Sequence, residues 1–241
     1  MIYMNKHMLT TFFLIGTSWT FVGMANNCHA ERLNVLKNKG FQPQIIYDIG
    51  AFKGEWTTAV QKVFDHAQFF LFEANECHRS HLQKLKMPYF IGLLGDREDL
   101  VKFYAINFTG DSIFQEQTHH YQDEKHTENL VQMTTLDSIV QQNALPLPDL
   151  IKMDVQGAEK LIIQGGYSIV CNAQVVILET SLLEYNKDAP LIFEMMALMH
   201  QLGFCVLDLV ELHYLPTHEL VQVDVLFVKT NSPLIKKGIL V

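Results

Sequence analysis

The chain has 241 residues, of which 49% are hydrophobic and 18% charged. That is enough for one large α/β core and too apolar for disorder. A formal net charge of -8, with no run of Lys and Arg to reverse it locally, argues against a nucleic-acid backbone as partner and for a small neutral or cationic one.

The N-terminus stands apart from the rest. In MIYMNKHMLTTFFLIGTSWTFVGMANNCHAE, Lys6 precedes an apolar stretch from Met8 to Met24, and small residues follow. This order matches a secretory signal peptide with cleavage after Ala25 or Ala30. Thr, Ser and Gly interrupt the stretch, so as a membrane-spanning helix it is marginal. An additional helix packed on the domain is the alternative. Residues 1–30 are therefore set aside as a targeting or anchoring segment, and 31–241 are taken as the folded domain.

From residue 31 the pattern alternates between helix and strand. ERLNVLKNKG reads as a helix closed by Gly40. IIYDIG (45–50) is a β-branched first strand, GEWTTAVQKVF (54–64) a helix, and AQFFLFEAN (67–75) a strand apolar on both faces. ECHRSHLQKLK continues as a helix and PYFIGLLGD (88–96) as a third strand. VKFYAI and LVQMTT read as strands around a long polar insert, a length that usually marks function or mobility. TTLDSIVQQN is a short helix, DLIKMDVQG (149–157) a fourth strand, AEKLIIQGG a helix and AQVVILET (173–180) a fifth strand. PLIFEMMALMHQLGF (190–204) is an amphipathic helix with Pro190 in its first turn. CVLDLVEL and QVDVLFVK close the chain as an antiparallel hairpin. The fold class is α/β, a mostly parallel, doubly wound sheet in one domain.

Metal and disulfide chemistry find little support. Cys28, Cys77, Cys171 and Cys205 form no CxxC, and His78 and His81 share a helix face without HExxH or facial-triad spacing. No metal is expected.

The turn in YDIGAFKGEW (47–56) carries the chemistry. In an open α/β sheet, ligands sit beyond the carboxyl ends of the strands where strand order reverses. Gly50 and Gly54 let backbone approach a ligand closely, and the following helix directs free amides at it. The string G-A-F-K-G lacks the middle glycine of a dinucleotide GxGxxG. D-x-G-x-x-x-G instead fits S-adenosylmethionine, with Asp48 towards its ammonium and the turn amides towards its carboxylate. Glu73, ending the second strand, can accept both ribose hydroxyls, and Asp96, ending the third, can approach the adenine.

DIGAFKG (48–54), FEAN (72–75), LLGD (93–96) and above all TTLDSIV…LIKMDVQGAEKLIIQGG (134–166) resemble the FkbM family of S-adenosylmethionine-dependent methyltransferases. The resemblance covers residues 40 to 230 and implies the Rossmann-like class I methyltransferase fold with its C-terminal antiparallel hairpin. It also implies O-methylation of a hydroxyl on a small molecule, a sugar or another glycan. Asp48, Gly50, Gly54, Glu73 and Asp96 become the cofactor site. Asp154, ending the fourth strand, becomes the general base or substrate-orienting acid, with Glu159 beside it and Glu179 a second candidate. Lys152 flanks Asp154 with an open role. One departure is Phe52, where the family commonly has Asn.

The insert GDSIFQEQTHHY is expected over the substrate, with Asp111, Ser112, His119 or His120 in contact. Two other readings stand beside the enzyme: an adenosine-ligand-binding domain without activity, and an NAD-dependent oxidoreductase. The methyl donor is cytosolic, so the domain is expected in the cytoplasm, tethered to the membrane through residues 8–24 if that segment is retained. Export by a cleaved signal peptide is the alternative.

Overall fold

The computed structural model describes residues 22–105, 111–117, 127–184 and 186–235. Most of the apolar N-terminal stretch, His119 and His120 lie outside them. Among the described residues, no helix is long and apolar enough to cross a membrane.

The main sheet has seven strands in the order β3-β2-β1-β7-β8-β10-β9. They are β1 (Ile45–Ile49), β2 (Gln68–Glu73), β3 (Tyr89–Ile91), β7 (Leu150–Met153), β8 (Val175–Ser181), β9 (Phe204–Tyr214) and β10 (Leu220–Lys229). Neighbours pair in parallel up to β8, and β10 runs antiparallel to both β8 and β9. The expected α/β class and C-terminal hairpin are both present. Strand order reverses between β1 and β7, so the carboxyl ends of those two strands flank the crevice where such sheets bind ligands.

Strand alternation divides the core. Tyr47, Ile49, Phe72, Ile151, Met153 and Leu178 project to one face, beneath α4 (Leu136–Gln142), α5 (Glu159–Gly165), α6 (Tyr167–Asn172) and α7 (Ile192–Gln201). Ile46, Leu71, Leu150, Val175, Ile177 and Leu226 project to the other, beneath α1 (Val22–Asn38), α2 (Glu55–Gln61) and α3 (Arg79–Leu85). Both faces are apolar because helices cover both, the reason β1, β2, β7 and β8 read as continuous hydrophobic runs.

Three expectations are corrected. PYFIGLLGD is two strands: the chain leaves the main sheet at Gly92, and β4 (Leu93–Gly95) joins β5 (Asp99–Ala105) and β6 (Thr127–Thr135) in a separate sheet of order β4-β6-β5. Pro190 lies before α7, whose N-cap is Leu191. YSIVCN forms α6, which the alternation did not announce. The helix ending at Gly40 is longer than its polar portion suggests. It passes through residue 30, with Leu33 and Leu36 buried and His29 4% exposed. Its end is a Schellman motif, in which Phe41 N donates to Leu36 O and Gly40 N, at φ 96, to Lys37 O.

Candidate functional site

The β1 turn is stitched to the end of β2. Gly50 N and Ala51 N donate to Phe72 O at 2.9 and 3.0 Å, Phe52 N to Glu73 Oε2 at 2.7 Å, and Gly54 N to Ala51 O at 2.7 Å. These four amides are satisfied inside the fold rather than held open for a ligand carboxylate, as had been expected. Gly50 and Gly54 have φ of 76° and 78°. A Cβ on Gly50 would also collide with the Asp154 carbonyl oxygen, so the turn admits only glycine there. Phe52, at φ 50, is left-handed too. That region tolerates Asn and costs other L-residues about 1–2 kcal/mol, which gives a backbone reason for the family's Asn. The Phe52 ring packs against His78 with centroids 4.3 Å apart.

Glu73 accepts from Asn75 N at 2.8 Å through its other oxygen. Each carboxylate oxygen keeps one lone pair, so two adjacent hydroxyls could still be received. Burial pushes its carboxyl up to about 7 against the pull of those two amides.

Across the switch point lies a buried charge cluster. Asp48 is fully buried, accepts from Thr57 Oγ1 at 2.6 Å through Oδ2, and makes no hydrogen bond at Oδ1. Lys152 Nζ is 3.5 Å from that oxygen, 3.3 Å from Asp154 Oδ2, and donates to Gly50 O at 3.1 Å. Burial pulls the Lys152 ammonium down, but the Asp154 and Asp48 carboxylates outweigh it and hold it above the ordinary lysine value. Burial raises Asp48, opposed by Lys152 and the Thr57 hydroxyl. Lys152, whose role the sequence left open, is thus the hub that joins the turn to β7.

Asp154, 40% exposed in its side chain, accepts from Gln156 Nε2 at 3.3 Å. Gln156, at φ 54, also donates to Glu179 Oε2 at 2.7 Å, and Gln222 Nε2 adds a bond at 3.1 Å. Burial raises the Glu179 carboxyl well above the usual range, reinforced by Asp154 and Asp224. Glu159 is 2% exposed and its Oε1 accepts from Val155 N at 2.9 Å. It braces the loop behind Asp154, and burial pushes it up to about 7.

Asp48, Gly50, Glu73, Asp154 and Glu159 therefore converge on the carboxyl rim, whereas Gly54 faces Leu85 of α3. Asp96 follows β4 in the second sheet and pairs with Arg97 at 3.0 Å. Among the described residues, no hydrogen bond joins it to the others.

Residues 111–117 cross the rim as a strap. Asp111 Oδ2 accepts from Asn75 Nδ2 at 2.5 Å, and Ser112 Oγ donates to Gln156 O at 2.8 Å. Lys187 N donates to Gln115 O at 2.8 Å. The loops after β2, β7 and β8 are thereby tied to one segment, which places Asp111 and Ser112 at the rim. Residues of the loop after β7 also line two cavities. One, of about 190 Å³, includes Phe114, Gly157, Lys160, Pro190 and Glu194 in its lining. The other, of about 80 Å³, is lined by His29, Trp56, Lys152, Asp154, Glu179, Glu211, His213 and Asp224.

The sequence reading missed the four polar residues of α1, β9 and β10 in this second cavity. His29 fell in the segment set aside at residue 30. The remaining signal was Asp224, an acid inside the apolar run VQVDVLFV. Burial raises the Asp224 carboxyl, but the nearby His213 ring and the hydrogen bond with His29 outweigh it and hold it far below the usual range.

No curated protein matches the sequence. Similar solved structures include the magnesium protoporphyrin IX methyltransferase of Synechocystis PCC 6803 with bound SAM, at 10% identity, TM-score 0.49, and 89% and 86% coverage of this chain and that one. The 1,6-didemethyltoxoflavin-N1-methyltransferase of Burkholderia thailandensis is similar at 8% identity and TM-score 0.46, with 86% and 79% coverage. The assignment rests instead on the family match: the methyltransferase FkbM domain matches residues 48–206, from the β1 acid into β9. The chain belongs to the FkbM methyltransferase family.

Proposed function

We propose that the chain is an S-adenosylmethionine-dependent methyltransferase that O-methylates a hydroxyl of a small molecule or sugar, working in the cytoplasm where its donor is made. The observation that carries this reading is the pairing across β1 and β2. A buried Asp48 has an oxygen that accepts no hydrogen bond, with the Lys152 ammonium 3.5 Å away, beside a glycine that admits no side chain, and one strand over Glu73 keeps two lone pairs for vicinal hydroxyls. An ammonium at Asp48 and a ribose at Glu73 suit those donors and acceptors. Gly50 and Gly54 allow the close backbone approach. Asp96 is assigned to the adenine end by the resemblance alone.

When bound, the cofactor supplies an electrophilic methyl group on a sulfonium. Asp154 would take the proton of the substrate hydroxyl when the methyl group passes from the sulfonium sulfur, left as a thioether, to the substrate oxygen. Lys152 and Gln156 fix the Asp154 carboxylate from two sides, so positioning does most of the work. Glu159 acts through the loop, holding Val155 N and with it the approach of Asp154. The net charge of -8 favours a small molecule over a nucleic acid.

Calorimetric titration with S-adenosylmethionine tests the reading. Glu73→Gln should weaken binding by about 1–3 kcal/mol, the range for hydrogen bonds to a charged group. Unchanged affinity would remove Glu73 from the ribose. Binding without turnover on any hydroxylated substrate would favour the inactive binding domain, and saturable NADH binding the oxidoreductase.

A further inference from the structure

Glu211, Asp224 and Glu179 are direct cross-strand partners on β9, β10 and β8. Three carboxylates in one row on one face are destabilising unless a cation joins them. They line the cavity of about 80 Å³ together with Asp154, and Lys152 is the one ammonium in that lining. Four carboxyl groups thus face one ammonium and two histidines.

Two histidines reach the same space, and their surroundings differ. His29 Nδ1 accepts from Trp56 Nε1 at 3.2 Å, so the ring proton sits on Nε2 and is donated to Asp224 Oδ2 at 2.6 Å. With its outward nitrogen protonated, His29 has no lone pair to offer there. It orients Asp224 instead. His213 Nε2 is buried, makes no hydrogen bond, and lies 3.7 Å from Asp224 Oδ1.

From this we infer a divalent first-row metal site formed by Glu179, His213 and Asp224, with Glu211 alongside. The ligand atoms of the three lie within 4.8 Å of one another. Three ligands about 2.0–2.2 Å from one ion lie about 3.3–3.8 Å from one another, so the widest pair must close by at most about 1–1.5 Å, within reach of side-chain rotation. An imidazole with carboxylates suits zinc, manganese, iron or cobalt better than the all-oxygen sites of calcium and magnesium. A hydrogen-bonded carboxylate ligand such as Asp224 is the usual supporting arrangement. Three strands supply the ligands, so no spacing along the sequence announces the site. Its role rests on the methyltransferase reading: an ion beside Asp154 would take the substrate hydroxyl oxygen and lower its pKa, the proton passing to Asp154.

The full chain, stripped with chelator, is dialysed against Zn²⁺, Mn²⁺ or Co²⁺ alone, and bound metal is counted by mass spectrometry. One equivalent per chain is expected for at least one of them. His213→Ala, at a partly exposed position, should fold by circular dichroism and lose about tenfold or more in metal affinity. Asp224→Asn should do the same. Substoichiometric metal in the wild type, or His213→Ala binding as tightly as wild type, overturns the site. Titration with S-adenosylmethionine is run separately: its retention without metal binding sinks the metal site alone, and its loss with metal binding intact sinks the function reading alone.

Discussion

Lys152 is the residue on which the rim depends most. It is 6% exposed and its ammonium serves Asp48, Asp154 and the Gly50 carbonyl at once. Removing one partner of a buried ion pair leaves the other uncompensated and costs about 3–5 kcal/mol. Lys152→Met should fall in that range by urea unfolding. Adding Asp48→Asn to it should recover about 0.5–3 kcal/mol, because the orphaned charge goes with it. Strictly additive losses would show that the two do not interact. Glu159 bears on pH. Its carboxyl is pushed up to about 7 from 4.5 by burial, so between those values the folded state binds more protons than the unfolded one. Stability then falls as pH rises from about 4.5 to 7. Glu159→Gln keeps an oxygen for Val155 N but cannot ionise. Across that window it should lose less stability than wild type, by on the order of 1–3 kcal/mol. An unchanged slope in thermal melts at matched pH would contradict the assignment.

Among the elements, α1 alters the reading of the N-terminus. Its turn at residue 29 carries a histidine bonded to Asp224 and Trp56, so a chain cut after Ala30 loses a buried partner of the β10 carboxylate. An unsatisfied buried group of this kind costs about 1–3 kcal/mol. A chain beginning at residue 22 should therefore melt clearly above one beginning at residue 31. Equal melting of both would mean that α1 is dispensable. The strands β1, β2, β7 and β8 were legible because their largely continuous apolar runs leave little alternative. The split of PYFIGLLGD was not, since Gly92 permits a strand to continue or turn and only tertiary pairing decides. α6 was hidden for a similar reason: its six residues have too few turns to show a period.

In the molecule as a whole, what the sequence showed best was whatever lies close together along the chain. DIGAFKG and KMDVQGAE each sit within one strand-and-turn unit, and their acids converge at the rim. The groups that join these units were beyond its reach, because Lys152 and Gln156 act across strands and His29, Glu211, His213 and Asp224 meet only once β9, β10 and α1 are packed. The central claim is that a sulfonium nucleoside lies over β1 and β2, its ribose on Glu73 and its ammonium towards Asp48. A crystal structure of the chain with S-adenosylhomocysteine tests it most directly. The ribose hydroxyls should lie within hydrogen-bond distance of both Glu73 oxygens; a nucleoside bound elsewhere, with Glu73 still holding only Phe52 and Asn75, would contradict it.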